Sequence, residues 1–162
     1  MRSRIAWTIF GLAVVLIAIA LMRFNLAAVN DPGRLETRVA NLAKRVAISH
    51  ASRRPIPPRP KDVSASVDDG NTQYGLNCNV CHGTDGRGQT APGQWMYPRA
   101  ADLTSKQVQS YSDQEMFWII QNGIRFTGMP AFGKVETPNQ IWDLVNYVRT
   151  LRTDLPTQNA TK

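Results

Sequence analysis

The stretch Cys78-Asn79-Val80-Cys81-His82 holds both cysteines of the 162-residue chain and one of its two histidines. Two thiols at this spacing each add across one vinyl group of a haem, giving two thioethers. The histidine that follows is then held beside the ring, where its imidazole reaches the iron. C-x-x-C-H is the signal of a covalently attached c-type haem for this reason. Three other readings fit less well. A thioredoxin-like C-x-x-C works through a depressed thiolate at a helix start beside a βαβ pattern, and no such pattern is visible. A zinc site takes four ligands, and Cys78, Cys81, His82 and the distant His50 make an unusual set. A disulfide across two residues closes too small a loop to stabilise much.

Around the motif the chain reads as short helices and loops. Upstream, Ser66-x-x-Asp69 is a candidate cap for a helix ending at the motif. Downstream, Ser112-x-x-Glu115 is a capping box that opens a helix through Ile120 or Gln121, with Gly123 where a left-handed C-cap belongs. Thr137-Pro138-Asn139-Gln140 repeats the box with proline at the first helical position. The helix it opens carries Ile141, Leu144, Val145 and Val148 on one face and ends near Leu151. Between His82 and Ser105, Gly, Pro and polar residues predict loops. Strand alternation never exceeds a few residues, so the expected fold class is all-α. A domain of about ninety residues with three short helices has little apolar core of its own. A covalent haem supplies the missing body, and its binding energy becomes folding energy.

Farther out, residues 5–22 (IAWTIFGLAVVLIAIALM) are eighteen consecutive uncharged, mostly apolar residues between Arg4 and Arg23. As a helix they span roughly 27 Å, close to the hydrocarbon thickness of a bilayer. The core of a cleavable signal is shorter, and Ala27-Ala28 offers only a weak cut site, so an uncleaved transmembrane anchor is expected. Asp31-Pro32 reads as a helix start, a capping side chain followed by proline. Leu35, Val39, Leu42 and Val46 then share one face, which makes 23–51 a basic amphipathic segment suited to a membrane surface or a partner helix. Residues 52–62 open with SRRPIPPRPK, four prolines among four Arg/Lys, and predict a stiff extended tether.

Charge divides along the same line. Residues 1–61 hold eleven Lys/Arg against Asp31 and Glu36, and residues 62–162 hold eight against ten acidic residues, so the net +7 is +9 and −2. The basic excess belongs to the membrane-proximal part. That points to anionic lipid or an acidic partner surface and away from nucleic acid.

Residues 66–152 resemble a class I cytochrome c, of the monohaem bacterial type tethered by an N-terminal helix. Gly70, Tyr74 and Cys78 match the family's glycine and aromatic at four-residue steps before the first haem cysteine. Leu144 and Tyr147 match the leucine and aromatic of the C-terminal helix that crosses this face at close range. Gly128-Met129-Pro130-Ala131-Phe132, forty-seven residues after His82, matches the family's second iron ligand, a methionine before proline. The resemblance thus implies one haem c held by Cys78 and Cys81, with His82 and Met129 on the iron. Soft thioether sulfur suits haem iron and raises its potential. Met96, Met116 and His50 are rival ligands, although Met116 falls in a helix with Phe117 and Trp118, where core packing is expected. The family often uses a proline carbonyl to hold the histidine's other nitrogen, and Pro92 and Pro98 are both candidates. Trp95 or Arg99 is placed to contact a haem propionate.

The resemblance implies a small class I cytochrome c fold in residues 63–155, preceded by the transmembrane and amphipathic helices and followed by a flexible tail, 156–162. The positive-inside rule does not decide the orientation, since both flanks of the apolar run are basic. Haem of this type is attached outside the bacterial cytoplasm, which puts residues 1–4 inside and the haem domain on the periplasmic side of the inner membrane. The expected function is single-electron transfer between redox partners in a respiratory or photosynthetic-type chain. No small-molecule substrate and no catalysis of its own are expected. The alternatives are a fixed haem subunit of a larger membrane complex, or a haem enzyme or gas sensor with an open distal site.

Overall fold

The computed structural model describes residues 2–22 and 30–152, with Arg2, Ser3 and Leu21 described by backbone alone. Arg23, Ala27-Ala28, the end of the 63–155 domain and the tail 156–162 lie outside the described residues. The chain divides into two compact units, Met1–Asn30 and Asp31–Lys162.

The first unit contains helix α1, Arg2–Met22. Its described large apolar side chains, Trp7 and Phe10 among them, are exposed. Among the described residues no helix is long and apolar enough to cross a membrane. The transmembrane expectation therefore has no support from the fold itself.

The second unit is all-helical among its described residues. It runs α2 (Arg34–Ala51), α3 (Val63–Asn77), α4 (Asn79–His82), α5 (Ala91–Trp95), α6 (Lys106–Gln109), α7 (Asp113–Asn122), a 3-10 turn Phe132–Lys134, and α8 (Pro138–Thr150). Both downstream capping boxes form as read, at Ser112/Glu115 and Thr137/Gln140. Gly123 ends α7 with φ +66° but an extended ψ of −172°, so it turns the chain away without a left-handed cap.

Two starts differ from expectation. Helix α3 begins at Val63, capped by the Asp62 carboxylate on the Ser64 and Ala65 amides. Ser66 is buried one turn inside, where its hydroxyl donates to Asp143 and accepts from Asn146 Nδ2 at 2.6 Å. A short side chain with buried polar partners on α8 has no reason to cap. Helix α2 begins at Arg34 after Gly33, and the Asp31 carboxylate pairs with Arg99 at 2.7 Å.

The core sits where α3 crosses α8. Phe117, Ile141, Leu144 and Val145 are fully buried there, with Tyr74 and Trp142 beside them. Gly70 sits at the crossing, and a Cβ on it would lie 2.1 Å from the Asp143 carbonyl oxygen and 2.9 Å from Tyr147 Cβ. The glycine, aromatic and leucine positions read from the sequence meet here. The Tyr74 and Tyr147 rings lie 5.0 Å apart.

Helix α2 packs on this core through Ile48 and leaves its apolar stripe outside. Leu35, Val39, Leu42 and Val46 are 59–75% exposed, while Ile48 on the other side is buried at 3%. The exposed Ala40, Ala43 and Ala47 line an open cleft together with Lys44, Ile124 and Phe126. Arg45 adds to the contact, lying over the Tyr111 ring and donating to the Ser110 hydroxyl at 2.9 Å.

The proline-rich stretch is extended, as composition requires, yet it is not a free tether. Gln114 Nε2 donates to the Ser52 carbonyl at 2.6 Å, and Trp142 Nε1 donates to the Pro57 carbonyl at 2.9 Å. Arg59 pairs with Asp113 at 2.7 Å, lies over the Trp142 ring and donates to Asn146 Oδ1. Residues 52–61 form a strap across α7 and α8.

Candidate functional site

Helix α3 ends at Cys78, and the single turn α4 carries Cys81 and His82. The turn is fastened from several sides. The buried Tyr74 hydroxyl donates to the Gly83 carbonyl at 2.7 Å, and Gly83 itself has φ +76°. Gly88 N donates to the His82 carbonyl at 2.7 Å, and the Thr90 hydroxyl donates to the Cys81 carbonyl at 2.9 Å while accepting from Gly93 N. A Cβ at Gly93 would stand 2.3 Å from the Cys81 oxygen, so that loop closes only over a glycine.

His82 Nδ1 lies 2.9 Å from the Ala101 carbonyl oxygen. A carbonyl only accepts, so Nδ1 carries the proton and Nε2 keeps its lone pair. Burial holds the imidazole below its ordinary pKa, the Ala101 bond pulling the other way. The ring is therefore neutral at pH 7, as a metal ligand must be. Ala101 replaces the proline carbonyl expected at this position. Pro92 lies off the site, and Pro98 lines it without holding the ring.

The cavity beside His82 measures about 420 Å³. Its wall is largely apolar, with Leu103, Val108, Ile119, Ile120, Ile124 and Leu144. Cys78, His82 and Met129 all open onto it, and Cys81 stands one turn along from Cys78. Met129 is set by a tight loop: its amide donates to the Thr127 hydroxyl at 3.2 Å, and its carbonyl accepts from Ile124 N at 3.3 Å. A Cβ at Gly123 would meet that carbonyl at 2.7 Å. Of the rival ligands, Met116 lines the cavity but is a buried core residue on α7. Met96 lies outside it, its sulfur against Gly128, and His50 is exposed.

The propionate candidates divide. Trp95 is 78% exposed and off the cavity. Arg99 lines it, but its guanidinium is engaged by Asp31 and by Gln94 Oε1 at 3.1 Å. Of the aromatics near the motif, Tyr74 faces the cavity, while Tyr97 and Phe132 do not.

Electrostatics argue against thiolate chemistry. Burial first, then the charges of Glu136 and Cys81, push the Cys78 thiol up to about 12. A redox or zinc-binding cysteine needs the opposite shift. Both thiols are free, and among the described residues no group of three or more His, Cys, Asp or Glu is placed to hold a metal ion. An apolar slot with two neighbouring thiols, a neutral imidazole and a thioether fits a large flat apolar group that itself brings a metal.

Residues 65–148, 84 of the 162, match the family described as cytochrome C oxidase, cbb3-type, subunit III. The chain belongs to this family of class I c-type cytochromes. The cofactor of such cytochromes is covalent haem c with its iron. A chain of the Kuenenia stuttgartiensis reducing HAO-like protein complex Kustc0457/Kustc0458 superposes on this cytochrome with a TM-score of 0.52 and 26% identity. The match covers 60% of this chain and 47% of that one, so the cytochrome spans about half its neighbour's length. The KustC0563 c-type cytochrome is similar at 27% identity and TM-score 0.46, over 52% of this chain and 98% of that one. No curated protein matches.

Asn41, Lys44 and the Ala101 carbonyl were not legible as site groups in the sequence. The first two sit on a helix outside the family match. A backbone oxygen carries no sequence signal at all.

Proposed function

We propose that this cytochrome passes single electrons, with Cys78 and Cys81 as the thioether links to one haem and His82 and Met129 as its iron ligands. One observation carries the reading: Cys78, His82 and Met129 open onto the same apolar cavity, and the His82 ring is already turned by Ala101. The haem supplies a one-electron ferric/ferrous couple when bound. The chain's part is to exclude water with the apolar wall, to keep Nδ1 protonated toward Ala101, and to present soft sulfur from a constrained loop. With His82 and Met129 both holding the iron, no ligand position would remain for a substrate. The test is the absorption spectrum of ferric and ferrous protein after acid–acetone extraction. Retained colour with low-spin bands is expected, and pigment released into the solvent would sink the assignment. Carbon monoxide binding to the reduced protein at neutral pH would instead support an enzyme or sensor with an open distal side.

We also propose that residues 5–22 anchor the chain in the bacterial inner membrane, with the haem domain on the periplasmic side. The eighteen-residue uncharged run supports this. So does the exposed stripe Leu35, Val39, Leu42 and Val46, flanked by Arg34 and Arg38, which suits an anionic lipid surface. The full chain should stay with carbonate-washed membranes, and a chain starting at residue 30 should wash off.

A second reading, a fixed haem subunit, draws on two comparisons: the family description names an oxidase subunit, and the neighbour in Kuenenia belongs to a complex. Native mass measurement in mild detergent separates the two, since stoichiometric partners appear only for a subunit.

A further inference from the structure

Lys44 is the one cation on the wall of the haem cavity that has no anionic partner among the described residues. The other cation there, Arg99, is paired with Asp31. Asp102, the one carboxylate on that wall, turns its Oδ1 to the Thr104 amide and hydroxyl. Lys44 is half-buried, and burial alone lowers its pKa. Charges drawn out of water are ordinarily paired, because an ammonium that loses hydration without gaining a counter-charge destabilises the fold. The position is also held firmly. One turn on, Ile48 is buried, Arg45 grips Ser110 and Tyr111, and Glu36 accepts from the Tyr97 hydroxyl near the helix start. Asn41, one turn before Lys44, lines the same cavity with a second donor.

We propose that Lys44 and Asn41 bind a propionate carboxylate of the haem, so that α2, which lies outside the family match, forms part of the haem site. This rests on the haem assignment above. The chemistry follows from the group itself. A haem is apolar across its ring and anionic at its two propionates, and this cavity is apolar across its wall with one unpaired ammonium at its α2 side. Lys44 shares its face of α2 with the half-buried Asn41 and the buried Ile48, and packing that face onto the domain needs no cation. A cation held against the haem edge favours the reduced iron, because the oxidised form carries one more positive charge.

The test uses full-length holoprotein. A water-soluble carbodiimide adds a carboxyl to form an O-acylisourea; the lysine in contact, once it gives up its proton, attacks as the amine and displaces the urea, leaving an amide and a protein one water lighter. The peptide carrying Lys44 should become linked to the haem peptide that carries Cys78 and Cys81. Coupling of the haem to another lysine, or to none, overturns the proposal. In parallel, Lys44→Met should shift the ferric/ferrous equilibrium toward ferric about tenfold, which is about 59 mV for one electron. Lys44→Arg should keep most of the potential, and the exposed Arg38→Gln on the same helix should move it less than twofold. A Lys44→Met potential within twofold of the parent also overturns it. Protein without covalent haem in the parent chain would mark failure of the haem assignment and not of the α2 contact.

Discussion

The Cα of Gly70 lies so close to the backbone of Asp143 that a Cβ there would stand 2.1 Å from the Asp143 carbonyl oxygen. Two opposed effects act on Gly70→Ala. Helix propensity favours alanine by about 1 kcal/mol. The contact is with backbone, which has no rotamer to yield, so the α3–α8 crossing must open, costing about 1–3 kcal/mol. The clash wins. Gly70→Ala is expected to lower stability in urea unfolding of the holoprotein, whereas Gly75→Ala on the same helix, with open space at its Cβ, should raise it.

Tyr74 links that crossing to the cysteine motif. Its buried hydroxyl donates to the Gly83 carbonyl at 2.7 Å, and its ring packs on Tyr147. Tyr74→Phe keeps the ring and strands the carbonyl, so a loss of about 1–2 kcal/mol is expected with the haem bands intact. Tyr74→Leu loses the ring contact as well and should cost more. Equal stability of the two variants would show that the hydroxyl, and not the ring, carries the contact.

The local signals in this sequence were strong where a side chain meets its own backbone. The Ser112 and Thr137 boxes form as read because a hydroxyl and a carboxylate or amide three residues apart close on each other without outside help. The Cys78–His82 motif and Met129 converge on one cavity for a related reason, since the spacing expresses the shape of one ligand. Apart from the Gly123 cap, the misreadings have tertiary causes. Ser66 looked like a cap because its partners, Asp143 and Asn146, lie seventy-seven and eighty residues away. Pro92 and Pro98 competed for a role that the Ala101 backbone fills.

The strap offers a sharper test of that tertiary control. Arg59 bridges Asp113, the Trp142 ring and the buried Asn146 amide, which in turn donates to Ser66. The ion pair is about one-third exposed on each side, so by itself it contributes less than about 1 kcal/mol. The larger effect of Arg59→Ala is loss of the clamp on residues 52–61. Trypsin should then cut after Arg53 several-fold faster, with the haem spectrum unchanged; the Arg54–Pro55 bond resists it in either case. Asp113→Asn should loosen the strap less, because it leaves the Trp142 and Asn146 contacts in place.

Met129 and Met116 both line the cavity, yet their surroundings give them different work. Met116 is 4% exposed in the α7 core, so Met116→Leu exchanges one apolar side chain for another of similar volume and should cost under about 1.5 kcal/mol with no change in potential. Met129 is held by the Thr127 and Ile124 bonds in a loop that has little core of its own. Met129→Ala should retain both thioether links, lower the potential on the order of 100 mV and admit carbon monoxide to the reduced iron. Met96→Leu should leave the potential and the closed iron unchanged, because its sulfur packs on Gly128 outside the cavity. Should Met96→Leu open the iron while Met129→Ala does not, the sulfur ligand is Met96 and the loop around Met129 serves only to close the domain.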